Sequence, residues 1–183
     1  MLAMIAPTAA ANCSEAHCSP LTALLQACAT PVKTTLLAFL QQPELPPGFR
    51  LDLEQPPNPQ ALNKLLARCR EATHTSEQWA LAFERSVWHL SIVEQEKGTL
   101  VGFVRATSDH GLNVNLWNLV AQPGSLQAQL LAVLVHQALE NLRRILPGCS
   151  ISILAPAISL KALKDQGFIV DPDGIRAMSY RLR

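Results

Sequence analysis

The chain has 183 residues, is 49% hydrophobic and 16% charged, and carries a formal net charge of +1. That length suits one domain with an extension, and the composition builds a core and excludes a disordered protein. The near-neutral balance leaves no basic footprint for nucleic acid, and no apolar run reaches the ~18 residues of a membrane span.

Residues 1–46 read as an N-terminal extension, rich at first in Ala, Pro and Cys. The first basic residue is Lys33. The start therefore lacks the basic region of a secretory signal, and a cytoplasmic protein is expected. Cys13, Cys18, Cys28, Cys69 and Cys149 show no paired spacing and read as free thiols in a reducing compartment. Cys13, His17 and Cys18 lack the second pair that a four-ligand metal site needs, so no metal is expected. Leu21, Leu24, Leu25 and Cys28 share one helical face, and Leu36, Leu37 and Leu40 share another. Pro31 separates them. One or two short helices follow, offering either packing on the domain or an arm for a protein partner. PELPPG at 43–48 reads as a linker.

From residue 47 a second domain begins. Residues 49–53 alternate as a strand, and Asn58 caps a helix through Leu62, Leu65 and Leu66. Thr75 and Gln78 have capping-box spacing ahead of Trp79 and Phe83. Residues 87–93 and 99–106 alternate as a hairpin joined through Glu96, Lys97 and Gly98. A strand at 112–121 runs into a Pro123-Gly124 turn and a long helix with Ser125 as N-cap. Arg143 and Arg144 suit that helix's negative end. Then come a strand at 150–154, a helix at 158–166 stopped by Gly167, and strands at 168–170 and 177–182. The order β-α-α-β-β-β-α-β-α-β-β predicts an α/β (α+β) fold, a mixed central sheet with helices on both faces. The turn at 123–125 is a candidate anion site, because the first amides of a helix have no intrahelical partner.

His110 beside Asp109 has the makings of a carboxylate-oriented base, set against a plain loop cap. His136 and Glu140 have the spacing of a surface pair. Trp79, Trp88 and Trp117 fall in amphipathic segments and are expected in the core.

RATSDH at 105–110, Asn113, Trp117 and GFIVDPDGIRAM at 167–178 carry a resemblance to a known family. Residues 49–183 resemble the GCN5-related N-acetyltransferases (GNAT), in particular the chloroplast and cyanobacterial nuclear-shuttle-interactor group, which is serotonin N-acetyltransferase-like. The resemblance implies an acetyl-coenzyme A-dependent N-acetyltransferase acting on an amine. It places the pantetheine arm along Leu119, Val120 and Ala121, and the pyrophosphate over Gly124, Ser125, Leu126, Gln127, Ala128 and Gln129. The family's loop glutamine or arginine falls on Leu126, and its glycines on Gln127, Gln129 and Leu131, so the loop is degenerate. The acidic residue that follows the strand tryptophan is Asn118 here, and the tyrosine acid is Leu163, with Tyr180 the one tyrosine of the chain. His110, Asn118 and Tyr180 are thus weak catalytic candidates. A second expectation stands beside the enzyme: a catalytically inactive GNAT-fold subunit that binds a protein partner through residues 1–46. The oligomeric state is open.

Overall fold

A computed structural model of the chain describes residues 42–170. Five strands form one sheet in the order β1-β2-β3-β4-β5. They are β1 (Phe49–Asp52), β2 (Trp88–Glu94), β3 (Leu100–Ser108), β4 (Asn113–Ala121) and β5 (Ser150–Ile153). The first four are antiparallel, and β5 runs parallel to β4. The β2–β3 hairpin closes through Gly98, whose positive φ of 63° suits a residue without Cβ. Its amide donates to the Glu94 carbonyl at 2.9 Å.

Helices α1 (Pro59–Arg68) and α2 (Ser76–Glu84) cover one face of the sheet. Asn58 starts α1, its Oδ1 accepting from the amides of Gln60 at 2.8 Å and Ala61 at 3.4 Å. The capping box of α2 forms as expected. Gln78 N donates to Thr75 Oγ1 at 3.3 Å, and Thr75 N donates to Gln78 Oε1 at 3.0 Å. Leu62, Leu65, Leu66 and Trp79 bury against Phe103 and Val120 of the sheet.

The long helix α3 (Gln127–Ile145) covers the other face with Leu131, Leu134, Val135, Ala138 and Leu142. This is the apolar stripe of a helix on a sheet. Gly102 lets it close in: a Cβ there would lie 3.3 Å from atoms of both Ile92 and Leu134. A 3-10 turn (Ala157–Ser159) and α4 (Leu160–Asp165) pack on the same side. Gly167, at φ 90°, ends α4.

Several expectations change. Ser125 does not cap α3. The N-cap is Leu126, with no side-chain bond, because the Pro123-Gly124 turn continues until Gln127 N donates to Gly124 O at 3.2 Å. The helix expected over 158–166 is a 3-10 turn followed by a shorter α-helix. No strand forms at 168–170, since the Phe168 amide folds back onto Leu163 O at 3.1 Å. The stretch read as a linker at 43–48 packs at its centre: Leu45 meets the core and Pro46 is buried. The strand at 177–182, Tyr180 and the helices of the extension lie outside the described residues.

His136 and Glu140 do not pair. His136 Nδ1 sits 3.3 Å from Gln166 Oε1, while Glu140 accepts from Arg143 at 2.9 Å. Trp79 is in the core at 2% exposure, and Trp88 is partly buried. Trp117 is not in the core. It is 39% exposed, because it lies past the end of the α1–α2 layer.

Candidate active site

β4 and β5 pair only from Asn113 opposite Ser150 to Leu116 opposite Ile153. Beyond that point they part. β4 continues to Ala121 with its β5-side edge unpaired among the described residues. Such an edge accepts an extended ligand as an added strand, through main-chain hydrogen bonds.

A bulge marks the start of this free edge. Arg105 pairs with Trp117 and Phe103 with Val120, so Asn118 and Leu119 together oppose Val104. Asn118 takes the left-handed conformation at φ 54°, which Asn tolerates better than most residues. Its Oδ1 accepts from Arg105 Nε at 2.9 Å. The bulge explains the burial pattern. Val114 and Leu116 face α3, and after the extra residue Leu119 and Ala121 face it again.

At the far end of β4, the turn at 122–126 delivers the chain to α3. Among the described residues, the amides of Ser125, Leu126, Ala128 and Gln129 have no hydrogen-bond acceptor, and no acidic residue lies in the first turn of α3. The positive end of the helix dipole is therefore open to an anion. Arg68 reaches the same turn, its Nη1 donating to Gln122 Oε1 at 3.0 Å. The side chains of Gln127 and Gln129 turn aside: Gln127 Nε2 donates to Ala121 O at 3.0 Å, and Gln129 Nε2 to Glu44 O at 2.9 Å. A cavity of about 160 Å³ adjoins the turn, lined by Phe49, Val101, Gln122, Gly124, Leu126 and Leu130.

Leu119, Val120 and Ala121 bury their side chains, so they face a ligand only through backbone. Gly124, Ser125, Leu126, Ala128 and Gln129 are exposed around the turn. Asn118 stands at the bulge. His110 does not join them. It lies ahead of Asn113, and the strand from Asn113 to Asn118 alone spans roughly 16 Å at 3.3 Å per residue. The Asp109–His110 loop is a cap. Asp109 accepts from the backbone amides of Asn113 at 2.9 Å, Gly111 at 3.0 Å and Leu112 at 2.8 Å. Those amides hold its carboxyl well below the usual carboxylate range. No metal-holding cluster of His, Cys, Asp and Glu is present among the described residues.

Sequence reasoning passed over Arg105 as a site residue, and His89 and Ser86 altogether. Arg105 is half-buried on the α1–α2 face and, beyond Asn118, donates from Nη1 to Ser86 Oγ at 3.3 Å. Its guanidinium lies 5.9 Å from the Trp117 ring centre. Trp117 Nε1 in turn donates to Thr107 Oγ1 at 2.8 Å. His89 is the register partner of Arg105 in β2. Its buried Nε2 has no hydrogen-bond partner among the described residues. The signal for this row was the alternation of β2 and β3, which places His89, Arg105 and Thr107 on one face.

This is the fold of the GCN5-related N-acetyltransferases. A probable acetyltransferase from Staphylococcus aureus superposes with a TM-score of 0.64, at 15% identity, over 73% of this chain and 99% of its own. Glucosamine-6-phosphate N-acetyltransferase from Arabidopsis thaliana does so with a TM-score of 0.56, at 13% identity, over 72% and 97%. In sequence, the chain is similar to proteins named N-acetyltransferases. It is 34% identical over 102 residues to the uncharacterized N-acetyltransferase ycf52 of Pyropia yezoensis, 55% of this chain and 58% of that one. It is 29% identical over 123 residues to serotonin N-acetyltransferase 2, chloroplastic, of Oryza sativa subsp. japonica, 66% of this chain and 60% of that one. The chain thus spans less than two-thirds of the length of these relatives. No family model matches it. Among the described residues, no helix is long and apolar enough to cross a membrane.

Proposed function

We propose that the chain is an N-acetyltransferase that uses acetyl-coenzyme A to acetylate an amine. The observation that carries this reading is the continuity of the free β4 edge with the free amides of α3. An extended amide-bearing arm and a diphosphate fit that track in the order that coenzyme A presents them. The residues suit the group. The backbone of Leu119 and Val120 and the Ala121 amide would pair the pantetheine, the Ala121 carbonyl being held by Gln127 Nε2 and Cys69 Sγ, and the amides of Ser125, Leu126, Ala128 and Gln129 would hold the diphosphate, with Arg68 adding charge nearby. The glutamines at the loop's glycine positions leave these amides open, because each side chain is bonded elsewhere.

Bound coenzyme supplies an acetyl thioester, whose transfer to the amine nitrogen forms an amide, breaks the C–S bond and returns the thiol. The bulge at Asn118 turns the backbone of β4 where the free edge begins, and so positions the acceptor there. Asn118 is an acceptor for Arg105 and takes no proton. No carboxylate is bonded to either residue among the described residues; overall the amine gives up one proton and the departing sulfur takes one up. The names of the two relatives given above, both N-acetyltransferases, support the same activity.

Thermal denaturation with and without acetyl-coenzyme A tests the reading. Coenzyme at 100 times its dissociation constant adds ~2.7 kcal/mol, or roughly 5–11 °C in a chain of this size. Thiol release on adding an acceptor amine completes the test. Absence of any shift at millimolar coenzyme would favour a subunit without transferase activity.

A further inference from the structure

We propose that Arg105 is the recognition residue for a carboxylate on the acceptor, so that the substrate is an amino-acid-like amine rather than a simple one. This rests on the N-acetyltransferase reading. Arg105 is half-buried and carries a charge with no ionic partner among the described residues. Its two bonded partners, Asn118 Oδ1 and Ser86 Oγ, are both neutral. Burial lowers its basicity without any compensating charge. Taking a guanidinium partly out of water is costly, and an anion in contact offsets that cost.

The geometry fits a carboxylate. Nε and one hydrogen of Nη1 are engaged, while Nη2 and the second Nη1 hydrogen have no partner among the described residues, enough donors for a planar carboxylate in two bonds. The exposed Trp117 forms a wall beside the guanidinium, itself held by Thr107. His89, opposite Arg105 in β2, adds a buried ring nitrogen with no partner among the described residues. The cationic side chain thus meets an amide, a hydroxyl and an indole, with no anion supplied by the described residues.

The anion is not the coenzyme's diphosphate. From Asn118 to Ala121 the strand alone advances roughly 10 Å, and the open amides of α3 lie beyond that. Arg105 stands at the other end of the free edge, where the acceptor must meet the thioester. Its carboxylate on Arg105 would leave the amine a few bonds away, at the bulge.

The experiment compares free amino acids with the matching amino-acid amides as acceptors for the full chain, in acetyl-coenzyme A. The carboxylates are expected to show kcat/KM roughly 10- to 100-fold above the amides, mainly through KM, from a charge-assisted bidentate contact. Arg105→Gln should bring the ratio close to one, and Arg105→Lys, with charge but no fork, should leave an intermediate ratio. Equal use of the two acceptors by the parent chain, or a preference that survives in Arg105→Gln, would overturn the proposal. Should Arg105→Gln fail to fold, the ratio in Arg105→Lys decides. Coenzyme binding is measured separately by thermal shift. If it is absent, the transferase reading fails alone, and the carboxylate site is judged by titrating the same pairs without coenzyme. Movement of the Trp117 indole N–H resonance by the carboxylate and not by the amide supports the site; no movement by either removes it.

Discussion

Ala128→Asp should stabilise the fold slightly and cripple coenzyme binding. Ala128 is exposed in the first turn of α3, where no acidic residue now stands. A carboxylate there faces the positive end of the helix dipole and adds roughly 0.3–1 kcal/mol of stability. The same charge lies against the proposed diphosphate. Two unit charges about 4 Å apart repel by ~1 kcal/mol in bulk water and by ~4 kcal/mol at the effective dielectric of a protein surface. Affinity for acetyl-coenzyme A should therefore fall by roughly 5- to 700-fold, and the loss should shrink as salt is added. Ala128→Asn, with the same shape and no charge, should bind close to the parent chain. Calorimetric titration of the three chains at two ionic strengths checks this. Equal affinities for Asp and Asn would place the phosphates elsewhere.

Trp79→Ala should cost roughly 3–5 kcal/mol, among the largest losses available in this fold. Trp79 is 2% exposed and sits at the centre of the layer that α1 and α2 lay on the sheet. It stacks on Phe83 at 5.5 Å and meets His74 edge-on at 5.1 Å. Its Nε1 donates to Asn63 Oδ1 at 3.0 Å, so truncation also strips a bond from an amide side chain that holds the 63–74 connection. At roughly 2–4 °C per kcal/mol, the melting temperature should drop by about 6–20 °C. Leu81→Ala in the same helix, at a residue 54% exposed, should stay within about 0.5 kcal/mol. Urea denaturation of both variants separates the two cases. A loss under about 1 kcal/mol for Trp79→Ala would mean that the layer is not packed as described.

What could be read from sequence was local. Asn58, the Thr75–Gln78 box, the Gly98 hairpin and Gly167 each act within a few residues, and each was legible because its chemistry closes on itself. The long helix announced itself by periodicity. The bulge at Asn118 did not. A continuous apolar run over residues 119–121 hid the change of phase between Leu116 and Leu119, the one trace that an extra residue left. Partners distant in sequence were equally hidden. Gln129 on Glu44, Gln127 on Ala121 and His136 on Gln166 arise from packing rather than spacing. The loop illustrates the difference. Residue types alone said that glutamines replace small residues; only the fold shows where those side chains go. Trp117 looked like core because β4 is amphipathic, but the covering layer stops short of it.

The most direct test is a titration of the isotopically labelled chain with acetyl-coenzyme A, followed through assigned backbone amides. Saturable shifts are expected at Ser125, Leu126, Ala128 and Gln129, together with Leu119 to Ala121, while the Asp109–Asn113 loop stays still. Saturable binding that leaves the first turn of α3 unmoved, or no binding at millimolar coenzyme, would contradict a coenzyme site there.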